Sequence, residues 1–257
     1  MKFCTLASGS SGNCAVIKSG DTAILIDAGI SMRRIKQGLA ETGILPEDIS
    51  AILVTHCHTD HISGIKMMSK YYHLPILAPR ITAGMISSAC PEAGPYIRFF
   101  EPGQPFHIGE VDVMAFRTPH DAYDSVGYML SAEGKRLAYV TDLGHVSDEI
   151  LETVLGADAA IIESNHDIEM LKTGPYPYPL KRRILSESGH LSNEACGRLA
   201  IRLAESGAKT LLLAHLSREN NTPSLAYKTV RQCLDENGCC VNLFVAPADE
   251  KSETFTL

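Results

Sequence analysis

Residues 51–61 read AILVTHCHTDH, an apolar run followed directly by a dense set of side chains that can bind metal. Its first four residues are apolar and predict a short buried strand. Three imidazoles and one carboxylate follow directly, at His56, His58, Asp60 and His61. Neutral imidazole nitrogen and carboxylate oxygen are ligands that suit zinc and its first-row neighbours. Because packing does not require so many ligands at the end of a buried strand, the stretch predicts a metal site.

The composition of the 257-residue chain is typical of a globular protein, with 45% hydrophobic and 21% charged residues. A strongly basic protein would indicate nucleic-acid binding, but this chain has a net charge of −7. This charge does not exclude a nucleic-acid substrate, because bound divalent metals would offset negative ligands locally. No apolar run reaches the length of a membrane span, so we expect no membrane association.

Eight cysteines are scattered along the chain, and none forms the C-x-x-C spacing of a paired zinc site. Residues 1–13 lack the apolar segment of a signal peptide. We therefore expect free thiols and a cytoplasmic location, where disulfides are rare.

The order of the predicted elements indicates a layered fold. Two strand-rich halves are each followed by helices, which we predict over residues 31–41, 62–72 and 79–89 in the first half and 148–155, 179–186, 193–205 and 223–237 in the second. This order favours two sheets face to face with helices outside, a four-layer α/β/β/α sandwich. No linker or repeat divides the chain, so residues 1–257 are expected to form one domain.

Further candidate ligands share one kind of position, directly after a predicted strand. They are Asp27, His120, Asp142 and His215. Loops that follow strand ends are where layered folds gather a site. A single histidine of this kind is more often structural, but several of them beside residues 56–61 favour a shared metal centre.

This ordered set of residues resembles the metallo-β-lactamase-fold hydrolases, and Asp27 matches that family's first motif. The resemblance implies a metal-dependent hydrolase with two divalent metal ions. The first would be bound by His56, His58 and His120, the second by Asp60, His61 and His215, with Asp142 bridging. Asp27 would orient the histidines through hydrogen bonds without touching a metal. Zinc suits the ligands, and manganese or iron also fit a carboxylate-rich dinuclear site.

The branch of the family is indicated by residues 188–195, which look like the His-x-Ser/Thr element of its phosphodiesterases. His190 precedes the predicted helix 193–205, whose N-cap we expect at Ser192. A helix N-terminus beside an imidazole suits a phosphate group. The alternative is that His190 only packs near the cap. In the catalytic interpretation, His190 contacts the phosphate or assists the leaving oxygen, and Asp60 orients or deprotonates the attacking water.

Sequence spacing narrows the branch further. Only 22 positions separate His120 from Asp142, which leaves no room for the flexible arm of tRNase Z. Asp142 and His190 are 48 positions apart, too few for the insertion of RNase J-like nucleases. The segments that begin at Leu6, Glu163, residue 189 and residue 214 resemble the YycJ (WalJ) group of bacterial proteins. That group implies a 5′-to-3′ exodeoxyribonuclease of DNA metabolism or repair, with DNA as the partner.

Two alternatives and several residues stay open at this stage. Glyoxalase II-like thioesterases share every ligand, and a cyclic phosphodiesterase is equally compatible, so a small-molecule hydrolase is the alternative function. Asn165, His166 and Ser192 are candidate substrate contacts. The basic residues 181–183 either contact a phosphate backbone or form a solvated helix face. Tyr176 and Tyr178 either stack a base or belong to a stiff loop.

Overall fold

The computed structural model describes residues 1–257 and contains two seven-stranded sheets. The first sheet has the order β14-β1-β2-β3-β4-β5-β6. Its strands are β1 Lys2–Ala7, β2 Cys14–Ser19, β3 Thr22–Ile26, β4 Ile49–Leu53, β5 Ile76–Pro79, β6 Ile97–Phe100 and β14 Phe255–Thr256. The strands β14 to β3 are antiparallel, and β3 to β6 are parallel.

The second sheet has the order β13-β12-β11-β10-β9-β8-β7. Its strands are β7 Phe106–Ile108, β8 Val111–Arg117, β9 Val126–Ala132, β10 Lys135–Val140, β11 Ala159–Glu163, β12 Thr210–Ala214 and β13 Asn242–Val245. The strands β7 to β10 are antiparallel and β10 to β13 are parallel. Each sheet therefore has one parallel half, whose strands deliver their carboxyl ends to the same edge.

Nine α-helices and two short 3-10 helices connect these strands. The α-helices are α1 Met32–Thr42, α2 Thr59–Ile62, α3 Ile65–Tyr72, α4 Arg80–Ala89, α5 Asp148–Val154, α6 Ile168–Thr173, α7 Tyr178–Ile184, α8 Asn193–Glu205 and α9 Pro223–Glu236. The 3-10 helices are Pro46–Asp48 and Pro91–Tyr96. None of the helices combines the length and the apolar character needed to cross a membrane.

Three apolar layers separate the elements. The central layer joins the inner faces of both sheets, with Ile17 and Leu53 from the first and Tyr128 and Ile161 from the second. A second layer packs the first sheet against its helices, and a third packs the other sheet against α8 and α9. Because both faces of each sheet are covered, the strands are apolar on both sides. This arrangement is the four-layer α/β/β/α sandwich that the sequence predicted.

One predicted helix was wrong in its extent. The pattern predicted a continuous helix over residues 62–72, but the structure has α2 and α3 separated at Ser63 and Gly64. A Cβ atom at Gly64 would collide with the carbonyl oxygen of Ile30, so the chain passes close to its neighbour there. The sequence also did not predict α6 or β14. By contrast, Ser31 caps α1 as expected, since its side chain accepts from the amide of Arg34.

Candidate active site

The seven predicted metal ligands meet where the parallel strands of both sheets end. Their nitrogen and oxygen atoms fall into overlapping groups in which all atoms lie within 4.8 Å of one another. These groups are His56, His58 and His120; His56, His61 and Asp142; and Asp60, His61 and His215. Two of these groups contain the same residues as the two ligand sets that the resemblance implies, and the third joins Asp142 to one histidine of each set.

Distances within the cluster fit coordination of a small cation. Nε2 of His61 lies 3.5 Å from a carboxylate oxygen of Asp60 and 3.5 Å from one of Asp142. Nε2 of His215 lies 3.5 Å from Asp142. Ligands at about 2.0–2.1 Å around tetrahedral zinc stand about 3.3–3.4 Å apart. The spacing of these atoms therefore leaves room for one ion between them.

Three buried ligand atoms have no hydrogen-bond partner in the protein. They are Nε2 of His56, Oδ2 of Asp142 and Nε2 of His215. A buried polar atom that is left unpaired destabilises the fold by about 1–3 kcal/mol. Two cations, one beside His56 and one beside His215 with Asp142 between them, would satisfy all three, so the donor set fits divalent metals.

Asp27 orients His61 directly and His56 through Thr55. Its Oδ1 accepts from the amide of Thr55 at 2.8 Å, and its Oδ2 accepts from Nδ1 of His61 at 2.7 Å. The hydroxyl of Thr55 lies 3.0 Å from Nδ1 of His56. Both rings are thereby oriented with Nε2 toward the other ligands. This is the contact predicted for Asp27.

Glu163 orients His190 and His215 as Asp27 orients His61, and the sequence pattern did not predict this role. Its Oε1 accepts from Nδ1 of His215 and from Nδ1 of His190, both at 2.8 Å. Its Oε2 accepts from the amides of Leu143 and Leu191. A signal was available, because Glu163 ends an apolar strand, as the candidate ligands do. What the pattern lacked was any indication that two distant histidines share this carboxylate.

Three strand-end residues of the site have left-handed backbones. Asp27, Asp142 and His215 have φ angles of 60°, 60° and 56°. A left-handed conformation disfavours a residue other than glycine by about 1–2 kcal/mol. It turns the chain sharply after β3, β10 and β12, so that each side chain enters the cluster. Strain at such positions is common in functional sites.

The electrostatics divide the histidines into two sets. Burial opposes protonation of His61, but the carboxylates of Asp142 and Asp27 outweigh it and raise its pKa to about 10. The pKa of His215 is raised in the same way, against burial, by Asp142, Asp60 and Glu163. Burial and the neighbouring imidazoles lower the pKa of His56, His58 and His120.

The carboxylates of the cluster are ionised. The neighbouring histidines outweigh burial and lower the pKa of Asp60 and of Asp142. The contacts of His190 and His215 likewise outweigh burial at Glu163 and bring its pKa to about 2. Burial raises the pKa of Asp27 despite its contacts with His61 and Thr55.

A cavity of about 230 Å³ opens onto the cluster. Its lining includes the candidate residues His58, Asp60, Asp142, Asn165, Tyr176, Arg183, His190 and His215. The side chain of His190 is 19% exposed, and its Nδ1 lies 3.8 Å from Asp142. His190 therefore belongs to the cavity and does not only pack near the cap of α8.

The three candidate substrate contacts occupy different positions. Asn165 lines the cavity, and its amide donates to the carbonyl oxygen of His215 at 2.9 Å. His166 is buried outside the lining, and burial lowers its pKa to about 4. Ser192 accepts from the amide of Ala195 and caps α8, as predicted, also outside the lining. Of the three, the fold brings only Asn165 to the cavity wall.

Comparison with known proteins gives one family and a consistent fold. A family model described as "Beta-lactamase superfamily domain" matches residues 22–216. Exodeoxyribonuclease YycJ of Bacillus anthracis is 36% identical over 93% of this chain and 90% of its own length. Exodeoxyribonuclease WalJ of Streptococcus pneumoniae is 36% identical over 99% of this chain and 96% of its own. The metallo-β-lactamase-fold protein YhfI of Bacillus subtilis superposes with a TM-score of 0.74 at 17% identity, over 99% of this chain and 98% of YhfI.

Proposed function

The chain belongs to the beta-lactamase superfamily, in the group of YycJ and WalJ, and on this basis we propose that it is a 5′-to-3′ exodeoxyribonuclease. It is a hydrolase by family membership. The reaction that we propose is hydrolysis of phosphodiester bonds in nucleic acid, with DNA as the substrate. The names of the two relatives support the choice of DNA.

The position of His190 is the observation that carries the phosphodiesterase assignment. Glu163 accepts from Nδ1 of His190, so Nε2 is the ring nitrogen left for the cavity. Burial opposes protonation, but Glu163 outweighs it and raises the pKa of His190. A protonated imidazole beside the metal ligands can donate a hydrogen bond to a phosphoryl oxygen or a proton to the leaving oxygen. We assign His190 this catalytic role.

The cofactors in this proposal are two divalent metal ions, with zinc preferred and manganese or iron compatible. His56, His58 and His120 would hold one, Asp60, His61 and His215 the other, and Asp142 both. When bound, such a pair supplies a nucleophile from water at neutral pH and neutralises charge on the phosphoryl group. Asp27 and Glu163 keep the imidazoles oriented for the ions.

Asp60 is the second catalytic residue that we propose. Its side chain is 26% exposed and lines the cavity, whereas those of His61 and Asp142 are almost fully buried. Its pKa is lowered, so the carboxylate is ionised and can accept the hydrogen bond that orients a water molecule. These features support a role for Asp60 beyond holding a metal.

Two further parts of the proposal concern the whole chain. We treat residues 1–257 as one domain, since the central apolar layer takes residues from both sheets. We also propose a cytoplasmic location, which the eight free cysteines support.

The decisive experiment compares four substrates with metal-loaded protein. They are 5′-phosphorylated DNA, RNA of the same sequence, bis(p-nitrophenyl) phosphate and S-lactoylglutathione. We expect DNA to be shortened from its 5′ end and the thioester to remain intact. The variant His190→Ala should lose roughly 10²–10⁴-fold in kcat on DNA. His107→Ala, an exposed histidine of β7, is the matched control and should behave as the unaltered protein. Thioester cleavage without DNA cleavage would contradict the proposal.

A further inference from the structure

Three consecutive basic residues of α7 differ sharply in their surroundings. Nζ of Lys181 donates to the carbonyl oxygens of Lys172 and Gly174, so it closes the end of α6. The side chain of Arg182 is exposed and makes no hydrogen bond or ion pair with the protein. Arg183 lines the cavity and is its only lysine or arginine. The run is therefore neither a uniform phosphate-binding cluster nor a uniform solvated face.

The side chain of Arg183 is attached to the metal cluster through Asp121. Its Nε donates to Oδ2 of Asp121. Oδ1 of Asp121 lies 3.3 Å from Nε2 of His120 and 3.8 Å from Nε2 of His58. The guanidinium group is thereby held one side chain away from two proposed ligands of the first metal.

The backbone of Arg183 is fixed to the same site through Gly189. A Cβ atom at Gly189 would collide with the carbonyl oxygens of Arg183 and Ile184, so the end of α7 packs directly on this glycine. The carbonyl oxygen of Gly189 accepts from Nδ1 of His120 at 3.2 Å. Side chain and backbone both tie Arg183 to the metal cluster, which is the kind of support that preorganises a binding group.

The two terminal amino groups of Arg183 have no partner in the protein, and they are suited to bind phosphate. Only Nε is used within the protein, and the side chain is 55% exposed. Both terminal amino groups of the guanidinium are left to bind a ligand, and such a fork matches two oxygens of a phosphate. Asp121 separates this guanidinium group from His120 and His58, two proposed ligands of the first metal.

We infer that Arg183, held by Asp121, binds the backbone phosphate next to the scissile one and so selects a polymeric substrate. The inference rests on the proposed function. Bis(p-nitrophenyl) phosphate has no second phosphate and gains nothing from Arg183. A nucleic acid strand has one on each side of the scissile bond, except at a dephosphorylated end.

The test uses three variants, DNA strands that differ in the charge of a single phosphate, and one small phosphodiester. The variants are Arg183→Ala, Arg183→Lys and, as the matched control, Arg182→Ala. The substrates are a 5′-phosphorylated oligodeoxynucleotide, the same strand with a 5′-hydroxyl, the same strand with a neutral methylphosphonate at its second linkage, and bis(p-nitrophenyl) phosphate. The two altered strands separate the phosphate before the scissile bond from the phosphate after it.

We expect one of the two altered strands to lower kcat/KM of the unaltered protein roughly 10- to 100-fold, the size of a charge-assisted contact. On the fully charged strand, kcat/KM of Arg183→Ala should be as low as that of the unaltered protein on the altered strand. Altering the strand should then cause no further loss in Arg183→Ala. Arg183→Lys should recover part of the difference, and Arg182→Ala should retain all of it. Hydrolysis of bis(p-nitrophenyl) phosphate should be unchanged in Arg182→Ala, and in the two Arg183 variants it should fall much less than cleavage of the charged strand.

Two results overturn the inference while leaving the proposed function in place. One is that the unaltered protein degrades both altered strands with the same kcat/KM as the charged strand. The other is an Arg183→Ala variant that keeps the unaltered protein's sensitivity, or that loses activity equally on all substrates together with a lower Tm. If the metal-loaded protein hydrolyses bis(p-nitrophenyl) phosphate but no strand, the proposed function itself fails, and the inference fails with it.

Discussion

Oε1 of Glu163 lies 2.8 Å from Nδ1 of His190, and the same oxygen accepts from Nδ1 of His215. One buried carboxylate therefore orients a proposed metal ligand and a proposed proton donor together. It also fixes which nitrogen of each ring faces the cavity.

Replacing Glu163 with glutamine should change the pH dependence of the reaction. Glu163 raises the pKa of His190, and the protonated ring is the form that donates. Activity should therefore fall as the pH rises through the pKa of His190. In Glu163→Gln the pKa falls, so this loss should begin at lower pH, and kcat at neutral pH should drop roughly 100-fold. A pH profile of kcat on DNA measures both effects, and an unchanged alkaline limb would argue against the donor role.

Removing the charge of Asp27 should weaken metal binding. Asp27→Asn preserves the shape of the side chain but loses the carboxylate that orients His61. Partners behind a metal ligand contribute about 10- to 100-fold to affinity, so we expect a loss of that size for one of two metals. A chelator-competition titration measures it. Asp112→Asn, at an exposed position of β8, is the control and should bind both metals normally.

Metal binding should release protons, because His61 and His215 are protonated in the metal-free protein at neutral pH. The other three histidines have lowered pKa values, and the carboxylates are already ionised. We therefore expect at least two protons to be released near pH 7, and affinity to fall as the pH falls. Calorimetry in buffers of different ionisation enthalpy counts these protons. Metal binding without proton release at this pH would contradict the prediction.

A methyl group at Gly189 should displace the backbone that holds His120. Gly189→Ala forces the end of α7 away from the segment whose carbonyl oxygen holds His120. We expect a loss of about 1–3 kcal/mol in the free energy of unfolding, the range of overpacked positions, together with reduced activity on every substrate. Gly84→Ala in α4 is the control, because nothing lies within 4 Å of its Cβ position. That variant should be stabilised by up to about 1 kcal/mol in denaturant unfolding.

The candidate ligands and the layered architecture could both be predicted from the amino-acid sequence. Ligand chemistry belongs to residue types, so residues 56–61 predict a metal site in any fold that buries the preceding strand. Asp27, Asp142 and His215 each follow an apolar strand, and the ends of such strands can be predicted from the pattern of apolar residues. The caps at Ser31 and Ser192 were equally readable, because a helix N-terminus needs a nearby side-chain acceptor.

The contacts among these residues depend on tertiary packing, which local sequence patterns do not report. Glu163, His190 and His215 are far apart in sequence, and their shared hydrogen bonds depend on how β11 and β12 pair and where the next loops return. The difference between Arg182 and Arg183 likewise depends on which face of α7 meets the cavity. The break at Gly64 comes from a contact with a segment more than thirty positions earlier. Local patterns report residue chemistry and periodicity, whereas contacts between distant segments follow from the packing of the two sheets.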